Sequence, residues 1–238
     1  KRTNVILGPK NNILYGDGTI TDHIKDLRFT LSPHSFFQVN PEQTTVLYDQ
    51  ALAYADLKGN ETVIDAYCGT GTISLFLAHK AKHVIGIEIV EPAIINAREN
   101  ARRNGYDNTE FIVADAAVEM PKLYKAGVRP DVIVFDPIRA GCKEEVLTSA
   151  ASMEPNRIVY VSCNPATMAR DIEILTHYDY ELKEVQPVDM FPMTAHVETV
   201  ALLSKLDVDK HIEVEIELDE LDLTSAESKA LRHFKMIE

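Results

Sequence analysis

Between Thr62 and His177 the chain alternates five times between a short apolar strand pattern and an amphipathic helix pattern, and few folds accept that order. The strands read as Thr62–Cys68, His83–Val90, Glu110–Asp115, Asp131–Pro137 and Arg157–Cys163. They are rich in Val and Ile and apolar on both faces, which a parallel sheet covered by helices requires. The helices read as Thr72–Lys82, Glu91–Asn104, Ala117–Lys125, Lys143–Met153 and Asn164–His177. Two further strands, about Glu181–Val188 and Val197–Lys205, have no long helix between them and are expected to pair as an antiparallel hairpin. The sum is an α/β chain with a doubly wound, mostly parallel seven-stranded sheet that ends in an antiparallel hairpin.

The flanks are less regular. Residues 1–40 read as a small β-rich appendage with short strands at Val5–Leu7, Asn12–Tyr15 and Leu27–Leu31 and a turn at Gly16-Asp17-Gly18. Asn40-Pro41-Glu42-Gln43 starts a helix with a capping-box pattern, and apolar positions continue at helical spacing from Val46 to Leu57. Residues 41–206 are expected to form the main domain and 207–238 an acidic C-terminal extension. In that extension, acids alternate with Ile, Val or Leu from Asp209 to Leu218, the pattern of an edge strand with a wet face. Thr224-Ser225-Ala226-Glu227 then offers a second capping box.

The net charge of the 238 residues is −13, and ten acidic against four basic residues fall between Leu206 and Glu238. No basic stripe announces a polyanion, so a nucleic-acid partner has to be argued from chemistry. No apolar run reaches the roughly 18 residues that would span a membrane. The chain opens Lys1-Arg2-Thr3-Asn4 without an apolar signal region or an initiator Met, and is expected to be a piece of a longer protein. Cys68, Cys142 and Cys163 have neither a disulfide framework nor paired metal-ligand spacing, so no metal is expected in this segment and a reducing cytoplasm is the expected location.

Ile64-Asp65-Ala66-Tyr67-Cys68-Gly69-Thr70-Gly71-Thr72 closes the first parallel strand and opens a helix. Gly69 and Gly71 permit a tight turn and close backbone approach to a ligand. Roughly twenty residues on, Glu88 ends the second strand, where an acid can accept hydrogen bonds from ribose hydroxyls. Asp115, ending the third strand, is placed to reach an adenine amino group. Two adenosine cofactors compete for this loop. A dinucleotide wants a third glycine where Ser74 stands; S-adenosylmethionine needs no pyrophosphate cradle and commonly has an acid ahead of the loop, here Asp65. A plain glycine turn is the third possibility.

Val159-Tyr160-Val161-Ser162-Cys163-Asn164-Pro165 delivers a cysteine from a buried-looking strand to a helix start, with Asn164 as N-cap and Pro165 in the first turn. An isolated cysteine of this kind is by default a small core residue. A helix N-terminus, however, favours negative charge and is expected to lower the thiol's pKa, which suits a nucleophile.

These motifs, with Ser35-Phe36-Phe37-Gln38-Val39-Asn40, Asp136-Pro137-Ile138-Arg139 and His196-Val197-Glu198-Thr199, resemble in order those of the RNA 5-methyluridine (uracil-C5) methyltransferases, from about Ser32 to Leu203. The fold implied is that of a class I S-adenosylmethionine-dependent methyltransferase. The resemblance implies Cys163 as nucleophile, Glu198 as general base and S-adenosyl-L-methionine contacts from Gln38, Tyr67, Gly69, Thr72, Glu88, Asp115 and Asp136. It further implies that Phe36 packs on the substrate base and that Arg139 meets an RNA phosphate or braces Asp136. The implied substrate is structured RNA, 23S rRNA first and tRNA as the alternative; a non-catalytic RNA-binding module of the same fold is a third reading. His196 reads as a structural hydrogen-bonder, and Cys68 and Cys142 as packing residues. Two departures stand out: Ile138 occupies a position where the family usually has proline, and the N-terminal RNA-binding domain and iron–sulfur cysteines of some members are not in this sequence.

Overall fold

The structure, a computed structural model, describes residue 8 and residues 12–33 and 35–206. The strand expected at Val5–Leu7, the acidic edge strand from Asp209 and the capping box at Thr224 lie outside the described residues.

A two-stranded antiparallel ribbon, β1 (Ile20–Ile24) and β2 (Leu27–Leu31), leads into α1 (Pro41–Ala55). Then follow β3 (Thr62–Asp65), α2 (Thr72–Ala78), β4 (His83–Glu88), α3 (Glu91–Arg103), β5 (Thr109–Val113), α4 (Ala116–Lys125), β6 (Val132–Phe135), α5 (Glu144–Ser152), β7 (Arg157–Ser162), α6 (Pro165–Thr176), β8 (Tyr180–Val188) and β9 (Glu198–Lys205). The main sheet has seven strands in the order β5-β4-β3-β6-β7-β9-β8. The first five are parallel; β9 runs antiparallel between β7 and β8. The expected doubly wound architecture is present. Order reverses at β3 and β6, the switch point where such sheets open a ligand crevice beyond their carboxyl ends.

Strand parity distributes the core. On β7, Val159 and Val161 pack with α1 and α2, while Ile158 and Tyr160 pack with α5 and α6. Both faces are therefore covered, as the parallel geometry demands. The β8 edge is different: Glu181 to Pro187 are all exposed, and a register shift sits between Leu182 and Glu184. Charge and a bulge guard such an edge against pairing with another chain. Among the described residues no helix is long and apolar enough to cross a membrane.

Several boundaries differ from the sequence expectation. The parallel strands end at Asp65, Glu88, Val113, Phe135 and Ser162, before the ends read from apolar runs. Just beyond those points single hydrogen bonds to neighbouring strands persist, from Ala66 N to Val134 O, Cys68 N to Ile87 O and Ala114 N to Glu88 O, each at 3.0 Å, before the chain turns away. Asn12–Tyr15 is not a strand; Leu14 and Tyr15 are almost fully exposed and the segment pairs with nothing. The strand in this region is Ile20–Ile24, whose Thr21-Asp22-His23 centre gives no apolar signal and which exists through its pairing with β2.

The ribbon is fastened to α3 by two side-chain amides one helical turn apart. Asn100 Oδ1 accepts from Thr30 N at 2.8 Å and Asn104 Oδ1 from Arg28 N at 2.9 Å, while Asn104 Nδ2 donates to Arg28 O at 2.7 Å. The amides thus continue the hydrogen bonding of β2 where a strand would. Phe29 is fully buried in the same core cluster as α1 and β3. Asn100 Nδ2 also donates to Thr70 O, at 3.2 Å, inside the glycine loop. Asn100→Ala should therefore cost about 1–3 kcal/mol in urea unfolding, because buried backbone groups lose their partners. Asn104→Ala, at an exposed site, should cost visibly less, and equal losses would argue against this anchoring.

Candidate functional site

Each functional segment leaves the carboxyl end of a strand. The glycine loop follows β3, Glu88 ends β4, Asp115 follows β5, Asp136 follows β6 and Cys163 follows β7. Glu198 comes from the opposite direction, as the first residue of β9. The last paired residues of β7 and β9 are Ser162 and Thr199. One step further, the antiparallel register sets Cys163 across from Glu198. Because β6 and β7 are neighbours, with Phe135 beside Tyr160, Asp136 emerges next to this pair.

Buried carboxylates dominate the electrostatics. Asp65 is fully buried, accepts from Ser74 Oγ at 2.6 Å, and is pushed up to about 6 by desolvation. Burial, then the charges of Glu198 and Asp65, push Asp136 well above the usual carboxylate range. Burial also raises Glu198, with the Arg139 guanidinium opposing it. Tyr48 of α1, buried against the same acids, donates to Thr72 Oγ1 at 3.1 Å. Like charges in a dry region favour their neutral forms until a cation arrives. The Gln38 amide oxygen is buried without a hydrogen-bond donor among the described residues. Gly69 sits at φ +53° with open space where a Cβ would be. Gly71, at φ +81°, instead allows close packing, since a Cβ there would press on Ala97 and Phe111 at 3.1–3.3 Å.

Two carboxylates expected to face a ligand already have partners. Glu88 accepts from Val90 N at 2.9 Å and Gly69 N at 3.3 Å, which ties the second strand end to the glycine loop. Asp115 caps α4 by accepting from Ala117 N at 2.9 Å and pairs with Lys143 Nζ at 2.6 Å, an interaction that lowers its pKa. Tyr67 is half-buried, and burial followed by the nearby Cys142 raises its pKa.

The thiol corrects a sequence expectation. Cys163 is half-buried, and its pKa is raised, not lowered: desolvation leads, Glu198 and Asp136 add to it, and Arg139 opposes. The expectation weighed only the helix start; desolvation first, and then the Glu198 and Asp136 charges, run against it. Arg139 also differs from one expectation. Its guanidinium acts on Glu198 and Cys163 and lies 3.4 Å from His196 Nδ1, and it makes no ion pair with Asp136 among the described residues.

The two aromatics before Gln38 divide. Phe37 packs on Phe29 with ring centroids 5.9 Å apart, whereas Phe36 is 72% exposed. Gln38 and Phe37 also line a groove of about 780 Å³ bounded by Tyr15–Ile20, which none of Asp136, Cys163 or Glu198 reaches. Cys68 is a buried packing residue, and Cys142 donates weakly to Tyr160 Oη at 3.6 Å. Sequence reasoning missed Tyr48, Lys143 and the hydrogen bond from Ser74 to Asp65. Tyr48 lies on the apolar face of α1 like any core residue, and Lys143 meets Asp115 only through the tertiary fold.

Comparison with known proteins places this geometry. A family model described as tRNA (uracil-5-)-methyltransferase matches residues 11–206. An RNA methyltransferase of Halalkalibacterium halodurans, itself uncharacterized, is 61% identical over 203 residues, which are 85% of this chain and 44% of that protein. One of Clostridium acetobutylicum is 56% identical over 87% of this chain and 45% of its own length. The chain thus spans a little under half the length of these relatives. Among solved structures, the Pyrococcus abyssi tRNA (uracil-54, C5)-methyltransferase in complex with S-adenosyl-L-homocysteine aligns at TM-score 0.68 with 35% identity. That alignment covers 79% of this chain and 45% of the other. TYW2 from M. jannaschii, in complex with AdoMet, shares the fold at TM-score 0.56 and 21% identity over 82% of this chain and 90% of its own. By the matched residues and these identities, the chain belongs to the tRNA (uracil-5-)-methyltransferase family.

Proposed function

We propose that this chain carries the catalytic centre of an S-adenosylmethionine-dependent methyltransferase acting on C5 of uridine in structured RNA, with 23S rRNA as the substrate. The observation that carries the reading is the opposition of Cys163 and Glu198 across β7 and β9, beside Asp136. A tRNA substrate is the second reading, favoured by the name of the Pyrococcus abyssi neighbour.

The residues suit that cofactor. S-adenosylmethionine, when bound, supplies an electrophilic methyl group on a positively charged sulfur. Asp65, Asp136 and Glu198 offer a cation three carboxylates that are costly to ionise without one. The unpartnered Gln38 oxygen can accept from a ligand ammonium or hydroxyl, and the open space at Gly69 lets a ligand reach the backbone. Glu88, tied to the glycine loop, would accept from a ribose hydroxyl, and Asp115, capping α4, would accept from an adenine amino group.

Uracil C5 is too weak a nucleophile to be methylated directly. The Cys163 thiolate adds to C6, and the ring electrons pass to C5 as an enolate. Arg139 offsets the anionic character of the thiolate and of Glu198 at this stage. Once C5 carries the methyl group it still holds its proton. Glu198 removes that proton, the C5–C6 double bond re-forms, and the sulfur leaves as thiolate. Glu198's raised pKa makes it a better base than a solvated carboxylate. The exposed Phe36 ring can stack on a base held out of its helix.

Cofactor binding should be tighter at higher pH. Burial raises Asp65, to about 6, and also Asp136 and Glu198, so a sulfonium cation that favours their ionised forms drives protons off them. Affinity should therefore rise as pH climbs through about 6 and above, which calorimetry in buffers of differing ionisation heat will read as proton release. Glu88→Ala should weaken binding by about 1.5–3 kcal/mol through loss of charged hydrogen bonds. Tight NAD binding with no S-adenosylmethionine binding would sink the assignment.

The catalytic roles separate in the full-length protein. Glu198→Gln should still add to the ring and methylate it, then stall, leaving RNA covalently attached to Cys163 as a band that survives denaturation. Cys163→Ala should give neither product nor adduct, with cofactor affinity unchanged. A fully active Glu198→Gln enzyme without adduct would return Glu198 to a structural role. Mapping 5-methyluridine in rRNA and tRNA from cells lacking the protein decides between the two substrates.

A further inference from the structure

The loop Asp136–Cys142 carries Asp136 and Arg139 away from β6, and nearly every backbone group on its far side is held by one helix. Asn164 Nδ2 and Thr167 Oγ1 both donate to Arg139 O, at 3.1 and 3.2 Å. Arg170 Nη2 donates to Ala140 O at 3.0 Å and Cys142 O at 3.3 Å. At the centre is Asp171, in the second turn of α6 and 0% exposed. Its Oδ2 accepts from Cys142 N at 2.7 Å and Tyr160 Oη at 2.6 Å; its Oδ1 accepts from Arg170 Nε at 2.8 Å and Nη2 at 2.6 Å.

The fit is close on the loop side too. Gly141 is at φ +79°, and a Cβ there would stand 2.6 Å from Asp171 Oδ2 and 2.7 Å from Arg170 Nη2. A side chain at 141 would therefore push the carboxylate off the loop. The cluster also reaches the cofactor loop, because the Cys142 thiol lies beside both Tyr160 and Tyr67.

Asp171 is fully buried while the Arg170 side chain is 52% exposed, and a buried carboxylate is costly unless hydrogen bonds satisfy it; such a group serves to fix one arrangement among several. Here the arrangement fixed is that of two catalytic segments. We infer that Asp171 is a positioning residue: it locks the Asp136–Cys142 loop onto the helix that starts beside Cys163, and so sets where the Arg139 guanidinium stands relative to Cys163 and Glu198. This rests on Cys163 being the nucleophile, as proposed above.

The consequence can be read without RNA or cofactor. Glu198 and Asp136 push the Cys163 thiol up, and Arg139 opposes them. If the loop slips, Arg139 withdraws and the thiol should ionise at higher pH. Removing an acid would on its own move a thiol the other way, so an upward shift in Asp171→Asn is diagnostic.

The experiment follows the rate of Cys163 alkylation by iodoacetamide against pH, peptide by peptide, in wild type, Arg139→Ala and Asp171→Asn. Asp171→Asn should shift the profile to higher pH, in the same direction as Arg139→Ala. In the full-length protein carrying Glu198→Gln, which retains the adduct, Asp171→Asn should lower the maximal rate of RNA adduct formation about tenfold or more, as a displaced catalytic group does. A folded Asp171→Asn protein with wild-type profile and rate overturns the inference. Should Asp171→Asn fail to fold, Tyr160→Phe removes one of the four donors at nearly constant volume; a smaller shift in the same direction supports positioning, and none overturns it. Absence of any adduct in Glu198→Gln with the rest of the chain wild type would fell the nucleophile assignment instead, while the alkylation profiles still decide whether Asp171 governs Arg139.

Discussion

The site depends on β9 entering the sheet antiparallel between β7 and β8. A parallel strand in that place would bring its carboxyl end to the crevice; the reversed strand brings its first residue, Glu198, and sets it across from Cys163. Glu198 and Cys163 are thus held by a strand ladder instead of by two loops. Backbone hydrogen bonds fix the separation of paired strands at roughly 5 Å, a tolerance that surface loops do not reach. The same insertion makes β8 the sheet edge, which explains why β8 is exposed over most of its length while β9 is buried up to Leu203.

That geometry has an electrostatic cost. Asp65, Asp136 and Glu198 are buried within reach of one another's fields, and each is driven toward its neutral form. Desolvated like charges destabilise a fold unless something offsets them. Ser74 offsets part of the cost at Asp65 with a 2.6 Å hydrogen bond, and Arg139 part of it at Glu198. The remainder is an attraction for positive charge. The arrangement is unfavourable to phosphate, so the chain's acidity and the acidity of the crevice point the same way: toward positive charge.

The sequence made the layered fold readable because each local signal agreed with the global one. The five strand–helix alternations, the caps at Asn40 and Asn164 and the turns at Gly69 and Gly71 all appear where local physics puts them. What stayed hidden was tertiary. Ile20–Ile24 is polar at its centre and becomes a strand only beside Leu27–Leu31. Lys143 lies 28 residues from Asp115 and meets it across α4 and α5. The direction of the Cys163 shift could not follow from Asn164 and Pro165 alone, because the opposing acids come from β6 and β9. The motif names the thiol; only its surroundings set the charge it holds at rest.

Ile138 shows how such surroundings can replace a local device. Proline at this position would fix φ and remove conformations from the unfolded chain, an advantage of about 1 kcal/mol or less. Isoleucine gives that up and stands 78% exposed. The loop does not depend on it. Gly141 N closes a turn onto Ile138 O at 2.8 Å, and α6 then holds the carbonyls of Arg139, Ala140 and Cys142 together with the Cys142 N–H. Several hydrogen bonds, each contributing about 0.5–1.5 kcal/mol, exceed what one proline supplies. They also act in the folded state, where they fix direction as well as reduce entropy. A rigid ring would stiffen the loop at one residue; the α6 contacts tie it to the helix that begins just after Cys163, so the loop and that cysteine are registered against a single element.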